Sequence, residues 1–190
     1  GAALAVTGHL LVWVSAGYSL GTMTLDVVVP SFMFAWFAWL IHTLNVVAGR
    51  TFDDFRPALG EPEHEDEYRH ALTTISDRAA LAGGVGTVVI VSLFFYVAVR
   101  PFREPVPWEI ERISAPLWGL AAFTLGVVIL HTLRQLRMVS RLSAIARNVD
   151  IFKPAAINAF SKLTAVGALG LIAFVVAYML YTPEQPIAYI

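Results

Sequence analysis

Three histidines, His9, His42 and His131, stand in stretches that hold no Lys, Arg, Asp or Glu. An ionisable side chain in such surroundings is a candidate functional group, because placing it there is costly. Imidazole offers three uses. It titrates near neutral pH and can carry a proton. It can bind the central metal of a macrocycle, as the proximal ligand of haem does. It can also stay neutral and hold two helices together by a hydrogen bond. A di-haem cytochrome needs four membrane histidines in pairs, which these three do not provide. One haem b between His42 and His131, or between His9 and His42, matches the residue types, as does one (bacterio)chlorophyll.

His42 has the most distinctive neighbours. Ser31, Ala35, Ala38, His42, Asn45 and Gly49 recur at steps of four and three, so they share one face of a helix. Small and polar residues on a membrane helix are expected to face protein rather than lipid. The spacing therefore predicts a packing seam ending in His42 and Asn45. Ala38 is one turn before His42, where a small side chain lets a flat ring approach. This Ala-x-x-x-His pair resembles the pigment-binding pattern of light-harvesting polypeptides, over one helix and two residues. The resemblance implies a macrocycle on His42 and a place in a photosynthetic or electron-transfer complex. The same stripe, through Ser31, His42 and Asn45, also fits the polar path of a small transporter or channel. The spans carry few charges, and an odd number of them argues against an inverted-repeat transporter.

The other constellations are weaker. Glu67-Tyr68-Arg69-His70 is a single Glu-x-x-His motif, whereas a di-iron bundle needs two copies and two further glutamates. The run from Glu61 to Glu67 reads instead as a solvated acidic face, or as a partner for Arg137 and Arg141. Gly83-Gly84-Val85-Gly86 is a packing cluster, not a phosphate loop. Ser76, Asp77 and His70 are neighbours in sequence without triad geometry. The chain has no cysteine, which excludes thiolate zinc sites and cysteine-held iron–sulfur clusters within it. A net charge of −1 gives no global field for nucleic acid. On these grounds the chain reads as non-catalytic.

The elements that must position these residues follow from hydropathy. Charged residues make up 14% of the chain, against about 25% in soluble domains, and the charge-free runs are long. A spanning helix needs roughly 20 mainly apolar residues. Five stretches meet that length: 3–20, 27–49, 80–99, 115–133 and 163–182. The predicted fold is an all-α polytopic membrane bundle of about five transmembrane helices in a single membrane domain. Residues 1–20 lack a basic leader and read as a helix rather than a cleaved signal. The link from Gly21 to Asp26 predicts an antiparallel hairpin, with Asp26 complementing the N-terminus of the second helix. Pro30 and Pro116 are expected in first turns, where the missing N–H is harmless.

Ten of the thirteen basic residues lie in the connections 50–79 and 134–162. The positive-inside rule then puts those connections and the N-terminus in the cytoplasm and the C-terminus outside. An integral protein of a bacterial or archaeal inner membrane is expected. Trp108, Trp118, Tyr178 and Tyr181 suit an aromatic belt at the outer ends. Ala79–Gly83 and Ala82–Gly86 are small-xxx-small pairs, and Gly119, Ala122 and Gly126 form a further small-residue face. Ser76 is expected to cap the third span. In 134–152, Met138, Leu142, Ile145, Val149 and Phe152 form an apolar stripe flanked by Arg134, Arg137 and Arg141. That helix either lies on lipid headgroups or packs on the chain's own 50–79 connection. The function expected is scaffolding or anchoring, with the lipid bilayer and other membrane subunits as partners.

Overall fold

The computed structural model describes residues 2–17, 25–59, 65–102, 107–146 and 154–181. They form six α-helices, and no described residue lies in a strand. In order these are α1 (Ala2–Ala16), α2 (Leu25–Leu59), α3 (Glu65–Thr73), α4 (Asp77–Phe94), α5 (Trp108–Ile145) and α6 (Pro154–Tyr181). A π-helical turn, Phe95–Val99, and a short 3-10 turn, Arg100–Phe102, continue α4. Four helices are long and apolar enough to cross a membrane: α2, α4 with its continuation, α5 and the Phe160–Ala177 part of α6. The protein is an all-α bundle of membrane-spanning helices.

The first expected span is shorter than its hydropathy implied. α1 covers Ala2–Ala16, whereas the hydropathy runs on to residue 20. It stops before Gly17, whose φ of +68° is left-handed and suits a helix end. Residues 18–24, which hold most of the link to α2, lie outside the described residues.

The second and fourth spans are longer than predicted. α2 has 35 residues and runs on through Thr51, Phe52, Asp53, Asp54, Phe55 and Arg56. Those residues keep the helical period: Thr51, Phe52, Phe55 and Ala58 are buried, while Asp53, Asp54 and Arg56 are exposed. Loss of hydropathy at Gly49 therefore ends the lipid-soluble stretch, not the helix. α5 has 38 residues and begins at Trp108. The Pro107 carbonyl accepts from the Ile110 and Glu111 N–H groups at 3.0 and 3.1 Å, and Glu109 and Glu111 in the first turn suit the helix dipole. Pro116 consequently lies inside α5 rather than in a first turn, and withholds the N–H that the Arg112 carbonyl would accept. Pro30 likewise falls in the second turn of α2. Ser76 does precede α4, with extended backbone, but its hydroxyl makes no capping bond. Its carbonyl accepts the Ala80 N–H at 2.9 Å.

The chain gathers into two compact units, Gly1–Ile41 with Ile75–Leu133, and His42–Thr74 with Arg134–Ile190. In the first, Val27 and Ile110 form a buried pair with Ile113 and Leu117 against it. Gly8 of α1 lies on the same residues: a Cβ there would come within 2.7 Å of Val27 and 3.5 Å of Leu117. α4 crosses α5 at three glycines, Gly83, Gly84 and Gly126. A Cβ on Gly126 would stand 2.2 Å from the Gly83 carbonyl oxygen, and one on Gly84 would strike the Phe123 ring at 2.3 Å. Close backbone approach of this kind substitutes for hydrophobic driving force inside lipid. Gly86 and Gly119, by contrast, face open space. Beyond the crossing, every residue of the α4 continuation from 89 to 98 is exposed.

The second unit contains the end of α2, α3, the end of α5 and α6. Phe52, Leu72 and Leu142 are fully buried there, and Phe55 meets Phe160 with ring centroids 4.6 Å apart.

Candidate functional site

The stripe around His42 is placed differently along its length. Ser31 is 1% exposed. Ala35, Asn45 and Gly49 are half-buried, and Ala38 and His42 are exposed. The face that α2 buries instead runs through Val27, Phe37, Leu40, Leu44 and Ala48. The expected seam is thus not one continuous buried contact within the chain. On the exposed side, Phe32, Trp36 and Trp39 form an aromatic ladder with centroid distances of 5.9 and 5.2 Å. Steps of four and three bring these rings onto one line, and Ala38 and His42 stand beside it.

The other two membrane histidines are buried, His9 at 6% and His131 at 1% exposure. The His9 ring meets Trp13 edge-on at 6.0 Å, one turn along α1. His9 and His131 stand at different levels of the first unit. A Cβ on Gly8 would lie 3.5 Å from Leu117 and 4.0 Å from Ile113, and Leu11 shares a groove with Trp108, Glu109 and Arg112. α1 therefore runs antiparallel to α5, with His9 level with its first turns. His131 lies roughly 20 Å or more farther along α5, at 1.5 Å per residue, which places these two at opposite ends of the first unit. Ligation of one metal ion by both is thereby ruled out. No group of three or more His, Asp or Glu among the described residues could hold a metal ion.

The arrangement with the most built-in contacts is in the second unit, where the 50–79 and 134–162 connections meet. Gln135 is 2% exposed, and its Nε2 donates to the Leu72 carbonyl at 3.2 Å. That carbonyl is one of the last in α3, which have no partner inside the helix. The Thr73 and Thr74 hydroxyls bond back to the Arg69 and His70 carbonyls, and the His70 carbonyl also accepts the Thr74 N–H at 2.9 Å. α5 thus supplies part of the C-terminal cap of α3. At the other side, Arg69 grips Asp53 through two contacts, at 3.0 and 3.3 Å, and Arg56 Nε lies 2.9 Å from Glu65. These two pairs pin α3 to the polar extension of α2.

This cluster bears on two expectations. Glu65 pairs with Arg56 rather than with Arg137 or Arg141. Neither of those arginines makes an ion pair with a described residue, and both are exposed, while Arg134 is half-buried. Of the expected apolar stripe, Leu142 is buried and Met138 half-buried, but Ile145 is 44% exposed. Val149 and Phe152 lie outside the described residues. The Gln135–Leu72 bond ties this stretch of α5 to the chain's own 50–79 connection. Sequence reasoning missed Gln135. Its signal was present: a neutral polar residue one turn after His131 and on the side of Leu142.

On the low-charge side, Arg112 stands over the exposed Trp108 ring at 6.0 Å and Arg100 over Tyr96 at 5.3 Å. Such stacked cations suit a membrane interface. A groove of about 390 Å³ beside Arg112 and Trp108 is lined by Leu11, Trp108, Glu109, Arg112 and Ile113. Comparison with known protein families found no match, and neither curated proteins nor solved structures gave one.

Proposed function

We propose that this protein is a non-catalytic integral membrane subunit that anchors or scaffolds a larger membrane assembly. Its second unit is the docking surface, on the cytoplasmic side of a bacterial or archaeal inner membrane. The observation that carries this reading is the α3 cluster. A chain that only threads its spans through lipid can join them with connections of a few residues. Ordering a longer connection costs about 1–2 kcal/mol per residue in backbone entropy. Here that cost is offset by burial of Phe52, Phe55, Leu72 and Leu142 and by the bond from Gln135. The result is a shaped polar surface on which Arg50, Asp54, Asp66 and Glu67 stay exposed. Mild solubilisation of the tagged protein from its native membrane, followed by a subunit census, tests the proposal. Stoichiometric membrane partners are expected, lost on charge reversal at Asp54 and Asp66 while the fold is kept. Recovery of a single subunit alone would contradict it.

One observation favours a second reading. His42 and Ala38 are exposed beside the Phe32–Trp36–Trp39 ladder, which suits haem b or a (bacterio)chlorophyll held from outside the bundle. It predicts visible absorbance that His42→Leu abolishes. A colourless native preparation of the folded protein excludes it.

A further inference from the structure

The basic residues of the second unit fall into two classes. Arg56 and Arg69 are neutralised by Glu65 and Asp53. Arg137 and Arg141 make no ion pair with a described residue and stand exposed on α5. What surrounds the second class is specific. Ile129, Leu133 and Leu136 are 42%, 44% and 40% exposed on the same side of α5, in the turns just before Arg137. Gln135 and Leu142, on the opposite side, are buried. The free side of this helix is therefore apolar up to Leu136 and basic from Arg137 onward. A phospholipid has that same order, acyl chains followed by a phosphodiester.

We infer that Arg137 and Arg141, with Arg134 beside them, bind the phosphate of an anionic phospholipid whose acyl chains lie along Leu133 and Leu136. The helix rise supports the match. Arg137 is roughly 4–5 Å beyond Arg134 and Arg141 roughly 10 Å beyond it, whereas the headgroup layer is about 5–8 Å deep. Flexible arginine side chains cover the remaining distance by reaching back toward the phosphates. An acidic protein surface would satisfy the guanidinium groups equally but would leave Leu133 and Leu136 without a counterpart. This inference rests on the reading of the second unit as lying at the membrane surface. It does not require any partner subunit.

The test uses the full-length protein in detergent, titrated with phosphatidylglycerol or phosphatidylcholine and read by native mass spectrometry. Each basic residue near an anionic surface contributes about 1 kcal/mol, so the double variant R137Q/R141Q should bind phosphatidylglycerol about thirtyfold more weakly. Its phosphatidylcholine binding and its melting temperature should not change. R137K/R141K should retain most of the affinity, and R56Q/R69Q, which touches only paired arginines, should retain all of it. Equal binding by R137Q/R141Q and the parent overturns the proposal. So does an equal loss in R56Q/R69Q, which would reduce the effect to net charge. Competition by millimolar inorganic phosphate without added lipid chains would show a free-phosphate site instead. Loss of partner subunits with lipid preference intact would refute the scaffold reading and leave this one standing.

Discussion

The two units of this protein are held together by different physics. In the first, α4 and α5 approach until the Gly83 and Gly126 backbones touch, and a single Cβ on Gly126 would overlap a carbonyl oxygen at 2.2 Å. No polar bond is needed for this contact. Lipid is as apolar as the helix surfaces, so close packing rather than water exclusion drives it. In the second, short polar elements are pinned by paired charges, a buried amide and a tilted pair of aromatic rings. Those devices are useful where water competes for every polar group and burial of Phe52 and Leu72 is favourable. The difference teaches that the polar connections here form a structure with its own core, and are not merely what joins the spans.

Substitutions can break either half of this comparison. The largest effect is expected at Phe52, which is wholly buried. Phe52→Ala should cost about 3–5 kcal/mol and unfold the second unit, seen as fast amide exchange across α3. Gly126→Leu should cost about 3 kcal/mol by forcing α4 off α5. Thermal melting in detergent reads this, and Gly86→Leu, which enters open space, should melt like the parent. Gln135→Leu removes the donor from the Leu72 carbonyl and should cost about 1–3 kcal/mol, with exchange accelerated first at the last turn of α3. The smallest effect is expected at Asp53, because the pair with Arg69 is about half-exposed. Asp53→Asn should cost about 0.5 kcal/mol at low salt and nothing measurable in 1 M salt. A large loss at low salt that 1 M salt removes would show that ion pairing, not burial, holds the second unit.

Much of the first unit was legible in sequence, and little of the second. Charge-free runs marked the later four spans because lipid tolerates no charge, and the small residues named Gly83 and Gly126 as contacts. The same logic misplaced α2. In a bilayer both faces of a span are apolar, so small residues alone did not reveal that Phe37, Leu40 and Leu44 turn inward while Ala38 and His42 turn out. Hydropathy also stopped α2 at Gly49 and started α5 near Ala115, because it measures lipid solubility rather than helix formation. The period of Phe52, Phe55 and Ala58 was the available sign that α2 continues. The role of Gln135 depended on where α3 ends, and no local pattern encodes that.

The account's central claim is that the connection carrying α3 is folded and stable in its own right. Amide hydrogen exchange on the full-length protein in lipid nanodiscs tests it most directly. The account predicts that amides of 51–59, 66–73 and 135–145 exchange at least about a hundredfold more slowly than unstructured peptide, and that Phe52→Ala removes this protection from α3. Exchange of α3 at the unstructured rate in the parent protein would contradict it.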